Sequence, residues 1–152
     1  MSVDTVVLAV AGENTDLTDR LAQTTGDIAA PADADVALVR VYTEAEYDQA
    51  RTRLDFAPDS EATPDAIAER DASVRAVTDT LSADGLDASV HGRLAPDADT
   101  GERIVELTEA ADADLLVVGG RQRSPAGKAL FGSTAQELML NAPCPVTFVR
   151  AD

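Results

Sequence analysis

The sequence predicts a doubly wound α/β domain in which a five-stranded parallel sheet is sandwiched by helices. Three observations carry this reading. Apolar runs of strand length recur along the chain, segments of helical periodicity separate them, and the 152 residues match the size of one domain. Strands divided by helical crossovers pair in parallel, and helices then cover both faces of the sheet. No linker, low-complexity run or internal repeat divides the chain, so residues 1–152 are expected to form one domain.

Residues 5–10, TVVLAV, are continuously apolar, the pattern of a strand buried on both faces, and are the first expected strand. Asn14, Thr15 and Asp16 can cap a helix, after which Leu17, Leu21, Thr24 and Ile28 recur at helical spacing up to Ala30 and Pro31. Gly26 weakens that helix. Residues 36–41, VALVRV, are the second strand. From 42 to 60 the chain is polar, helical in part over 44–54, and has no apolar stripe, as in a solvated excursion. Thr63 as N-cap, Pro64 and Asp65 start one helix whose buried face is Ile67, Val74, Val77 and Leu81, and Gly85 ends it. Residues 88–93 are a short third strand. After the loop around Pro96, Ile104, Leu107 and Ala111 carry a helix to Ala113, and 115–118, LLVV, are the fourth strand. A last helix covers 133–140 and a last strand 146–149.

Composition narrows the function. The chain carries 28 acidic against 12 basic residues, a net charge of −16, with Lys128 the single lysine. Such a surface repels nucleic acid and anionic membranes, and neither is an expected partner. The 45% apolar content is that of a folded domain, although only 3% of residues are aromatic and alanine dominates the apolar set. Asp excess, scarce Lys and an Ala/Val core resemble the composition of salt-in halophilic archaea, where molar salt shortens the Debye length to about 3 Å and carboxylates keep the protein hydrated. An acidic mesophilic protein is the alternative. The single Cys144 and single His91 give neither an internal disulfide nor an ordinary zinc cluster, and no metal is expected. With no signal-peptide pattern and no long apolar run, a cytoplasmic location is expected.

The informative stretch is 115–136, LLVVGGRQRSPAGKALFGSTAQ. It contains no Asp or Glu where the chain average would place about four, and it holds Arg121, Arg123 and Lys128. A basic island in an acidic chain favours a small anionic ligand. An acid-free stretch also suits a covered core segment or a subunit interface. Gly119 and Gly120 follow the fourth strand, and Gly132, Ser133 and Thr134 open the next helix. A phosphate there would meet free N–H groups, the positive end of the helix dipole and two hydroxyls, and glycine permits close backbone approach. Taken alone, Gly-Ser before a helix is more often just an N-cap.

The same segment resembles the signature of the universal stress protein (UspA) family: a glycine, two residues, a second glycine, nine residues, then Gly-Ser or Gly-Thr. Gly119 and Gly132-Ser133 match its ends at the required spacing. The strand order, the Asp-Ala-Asp-Leu-Leu-Val-Val run and the closing Asn-Ala-Pro-Cys-Pro-Val are similar to the family over essentially the whole chain. The resemblance implies a five-stranded domain of the adenine nucleotide alpha hydrolase-like type, usually homodimeric, and in one branch an ATP-binding site. On that basis Val41, Gly119, Gly120, Arg121, Arg123, Lys128, Gly132, Ser133 and Thr134 are the expected cofactor-binding residues, with ATP or AMP as the implied cofactor. Val41 matches a position that lines the adenine pocket.

Two positions depart from the pattern. Gln122 stands at the second glycine, and Ala11 stands where nucleotide-binding members have an Asp after the first strand; Glu13 is the nearest carboxylate that could substitute. The phosphate half of the site is mostly kept and the nucleoside half altered. The expected function is a non-catalytic stress-response binding module for ATP, AMP or a phosphate group. The alternative is a structural or interaction dimer with a vestigial site, and a slow ATPase ranks third because no placed general base is visible. No catalytic residue is assigned: His91 reads as a partly buried polar residue, Cys144 as an apolar filler, and Asp97 and Asp99 as solvated surface. The chain lacks a P-loop and the Ser-Gly-Gly-x-Asp-Ser run of ATP pyrophosphatases. The apolar last strand predicts a homodimer formed by edge pairing.

Overall fold

Strands β1 (Thr5–Val10), β2 (Asp35–Tyr42), β3 (Ala88–Leu94), β4 (Leu115–Arg121) and β5 (Val146–Ala151) form one parallel sheet in the order β3-β2-β1-β4-β5. The computed structural model describes residues 3–10, 15–54, 63–95, 100–121 and 133–151. The helices are α1 (Thr15–Ala32), α2 (Glu44–Arg53), α3 (Pro64–Arg70), α4 (Ala72–Ala83), α5 (Thr100–Ala110) and α6 (Ser133–Asn141). The expected five-stranded parallel sheet sandwiched by helices is the architecture found.

Strand pleating divides the core into two layers. Val6, Leu8, Val10, Val36 and Leu38 pack with Leu17 and Leu21 of α1 and with Val74, Val77 and Leu81 of α4. Val7, Ala9, Val39, Val41, Leu116 and Val118 pack on the other face with Ile104 and Leu107 of α5 and Leu138 of α6. Val6, Val7 and Leu8 are fully buried, which explains why β1 reads as an unbroken apolar run. A third cluster closes one end, where Tyr42, Ile67 and Ala68 meet Tyr47, Ala50, Leu54, Val90 and Leu94. It gives the polar α2, none of whose residues is buried, a base on the end of β2.

Three departures from the expected boundaries are the largest. The single helix expected from Thr63 to Gly85 is two, because Asp71 takes an extended conformation (φ −65°, ψ 129°) that ends α3 and caps α4. Its Oδ1 accepts the Ser73 N–H at 2.9 Å and its Oδ2 accepts the Tyr42 hydroxyl at 2.8 Å. The apolar periodicity runs through the break unperturbed, so only the capping preference of Asp signalled it. α5 occupies Thr100–Ala110 and stops short of Ala113; Ala113 N–H bonds back to the Thr108 carbonyl, with Asp112 in the left-handed region (φ 52°). β4 is three residues longer than its apolar run, as Gly119, Gly120 and Arg121 pair with Val149, Arg150 and Ala151 of β5.

Asp114 fastens the sheet just before β4. Its Oδ2 accepts the backbone N–H groups of Asp4 (2.8 Å) and Thr5 (3.1 Å), so the carboxylate in the Asp-Ala-Asp run aligns the start of β1 with that of β4. Among the described residues no helix is long and apolar enough to cross a membrane.

Candidate functional site

In a parallel sheet of this order, ligands bind beyond the carboxyl ends of the strands where successive crossovers diverge, here between β1 and β4. The pairing Leu8↔Val117 sets Val10, the last residue of β1, level with Gly119. Past that point Gly120 and Arg121 continue β4 with β5 alone beside them, so the backbone of the glycine pair borders the crevice. α6, the crossover helix from β4 to β5, opens at Ser133 on the same edge, and its first-turn N–H groups lack helical acceptors.

The sequence-derived residues fall into three groups. Val41, 5% exposed, lies one residue before the end of β2, on the sheet face covered by α5 and α6. Gly119, Gly120 and Arg121 lie on β4, and Ser133 with the half-buried Thr134 start α6. The topology therefore gathers Val41, the glycine pair and the head of α6 along one sheet edge. Arg123, Lys128 and Gly132 lie outside the described residues, as do Ala11, Glu13, Gln122, Asp97 and Asp99.

Gly119 has a reason beyond ligand approach. A Cβ there would lie 2.7 Å from Leu17 Cδ1, 3.2 Å from Leu17 Cγ and 3.2 Å from the Val149 carbonyl oxygen. The absent side chain lets α1 seat on β4 beside β5. Gly101 plays a similar part at the head of α5, where a Cβ would stand 2.6 Å from Glu137 Oε1 of α6. These helix contacts, which set where α1 and α6 sit around the crevice, carry no local motif. Only the pairing of a glycine with a side chain on a distant helix, Leu17 or Glu137, could have shown them.

The remaining candidates are surface or packing groups. His91 is half-buried on β3, and its Nε2 lies 3.0 Å from Ser89 Oγ, a neighbour that linear spacing alone did not mark as meaningful. Both residues sit on the edge strand β3, and no carboxylate orients His91 among the described residues, so the third member of a nucleophile triad is missing there. Cys144 packs against the α5/α6 layer, and burial followed by the Asp114 charge pushes its thiol pKa up, away from thiolate reactivity.

A model of the universal stress protein family matches residues 3–150. A universal stress protein of Mycolicibacterium smegmatis is 46% identical over 52 residues, 34% of this chain and 40% of that protein. Another, described as the universal stress protein in the QAH/OAS sulfhydrylase 3′ region of Thermus aquaticus, is 39% identical over 49 residues, 32% of this chain and 36% of that protein. The aligned part thus spans well under half the length of either curated relative. Solved structures match throughout: a universal stress protein of Archaeoglobus fulgidus superposes with a TM-score of 0.69 at 23% identity, covering 95% of this chain and 97% of that one. One from the same organism in complex with dAMP gives 0.65 at 18% identity over 97% and 98% of the chains. A universal stress protein in complex with cAMP gives 0.66 at 25% identity over the full length of both. With the strand order, the glycine pair at the switch edge and the family match over nearly every residue all in agreement, this chain belongs to the universal stress protein family.

Proposed function

We propose that the chain is a nucleotide-responsive binding module without efficient catalysis, taking ATP, AMP or a phosphate group at the crevice between β1, β4 and the head of α6. The observation that carries this reading is the convergence of Gly119, Gly120, Ser133 and Thr134 at the carboxyl edge of an otherwise acidic domain. Support also comes from structural relatives that hold dAMP and cAMP. In this reading the α6 N–H groups and the Ser133 and Thr134 hydroxyls take the phosphate, Arg121, Arg123 and Lys128 supply positive charge, and Val41 contacts the base. Calorimetric titration with ATP, AMP and inorganic phosphate in molar KCl tests it: saturable heat is expected with at least one, and neither heat nor a thermal shift with any of them would sink it. A slow ATPase would instead release phosphate above the buffer rate in a manner abolished by Ser133→Ala.

A second reading is a dimeric interaction protein whose glycine loop no longer binds nucleotide, favoured by Ala11 and Gln122. Its structural support is the position of β5 at the sheet edge, with Met139 and Leu140 of the neighbouring α6 exposed at 43% and 83%. If an Ala11→Asp, Gln122→Gly double variant gained ATP affinity that the parent lacks, this second reading would prevail.

A further inference from the structure

A second cleft lies on the opposite face of the sheet from Val41. It has a volume of about 140 Å³ and opens between the end of β2, α2 and the α3–α4 junction. Its charged lining is Arg40, Arg53, Arg70, Glu46 and Asp71, three cations against two carboxylates in a chain of net charge −16. A quarter of all basic residues therefore meets at one small cleft, on the opposite sheet face from Val41.

Arg40 forms the floor. Its side chain is only 8% exposed, an unusual position for a charge without strong compensation. The guanidinium carbon stands 4.3 Å over the Tyr42 ring, which fixes its plane. One terminal nitrogen donates to the Val41 carbonyl at 2.7 Å. The other lies 3.7 Å from Glu46 Oε2, and Nε lies 3.4 Å from Asp71 Oδ2. These two contacts supply charge attraction, yet Nε makes no hydrogen bond and is buried. Arg53 and Arg70, from the last turns of α2 and α3, are exposed at the rim, and Ala72 and Ser73 bring the N-terminal turn of α4 to the same opening.

We propose that this cleft is a separate binding site for a small oxyanion, a phosphate or carboxylate group held by Arg40, Arg53 and Arg70 at the N-terminus of α4. The volume sets the size class, since ligand pockets for whole small molecules run to about 300 Å³ and above. A nucleotide does not fit within it, whereas an oxyanion or a short carboxylate does. The arginine forks match the planar geometry of carboxylate and phosphate oxygens, and the helix N-terminus adds partial positive charge. Half-buried Ala50 and Leu54 give the cleft an apolar wall, so a ligand with a short apolar stem is accommodated.

The protein contains its own reporter. It has two tyrosines and no tryptophan, and Tyr47 lies in the same cluster as the cleft-lining Tyr42, with ring centroids 6.0 Å apart. Tyrosine emission thus reads this cleft, on the opposite sheet face from Val41. Titration of the full chain with inorganic phosphate and, separately, with acetate, at ionic strength held constant with KCl, should give a saturable emission change that chloride alone does not produce. An Arg53→Gln, Arg70→Gln variant should bind at least about tenfold more weakly, with an unchanged circular dichroism spectrum because both residues are exposed. Ser133→Ala should leave the response intact, which separates this site from the glycine loop. No saturable change with either anion, or equal affinity in the double arginine variant, would overturn the proposal. A response to phosphate but not acetate would assign the site to phosphate; equal responses would assign it to oxyanions in general.

Discussion

A methyl group added at Gly92 would collide with the Pro64 carbonyl and lie 2.8 Å from the Asp65 nitrogen, because the head of α3 rests directly on β3. At Gly119 the first obstacle is the end of the Leu17 side chain, which can rotate away. Gly92→Ala is therefore expected to destabilise the protein by about 2–3 kcal/mol and Gly119→Ala by about 1 kcal/mol, measured by chemical denaturation in high salt. The ordering is the informative part, since a backbone wall cannot relax as a side chain does. Tyr42 gives a second prediction at this scale. Burial first, then the hydrogen bond to Asp71 and the charge of its carboxylate, push its hydroxyl well above the ordinary tyrosine value of 10.0. The folded state then keeps a proton that the unfolded chain releases. The resulting stabilisation is complete below about pH 10 and is lost as pH rises above it. Unfolding free energies measured from about pH 9 to 11 should fall more steeply for the parent than for Tyr42→Phe, which has no proton to lose there.

At the level of elements, the strands were legible because burial on both faces of a parallel sheet leaves continuous apolar runs, as in residues 5–10 and 36–41. β4 was legible only to Val118, since glycine is a poor strand former and its pairing partners on β5 lie some thirty residues away. The α3–α4 break was hidden for the opposite reason: Ile67, Val74, Val77 and Leu81 keep a helical rhythm across it. Asp71 holds that corner by capping α4, accepting from Tyr42 and facing Arg40. Asp71→Ala removes all three roles and leaves Arg40 short of a counter-charge, so a loss of about 2–4 kcal/mol is expected. Asp71→Asn, which retains the cap, should lose less. Equal losses in the two variants would assign the corner to the charge of the Asp71 carboxylate rather than to the cap.

Across the whole molecule, the charge of −16 shapes how the fold behaves in solution. Scattered carboxylates repel one another at low ionic strength and are screened within a few ångströms in molar salt. The thermal midpoint should rise by several degrees or more between about 0.1 and 2 M KCl, a trend that calorimetry can follow and that a flat salt profile would contradict. The exposed β5 edge and Leu140 predict a dimer by light scattering in the same buffer. The candidate site was legible as a composition gap with glycines at fixed spacing, visible against so acidic a background. The Arg40 cleft was not, because its residues come from β2, α2 and the α3–α4 junction and share no local pattern. The decisive measurement is an amide chemical-shift map of the full chain on addition of AMP in molar KCl. Binding at the switch edge predicts saturable shifts at Val41, Gly119, Gly120, Arg121, Ser133 and Thr134, whereas no shifts, or shifts confined to α2 and the α3–α4 junction, would contradict it.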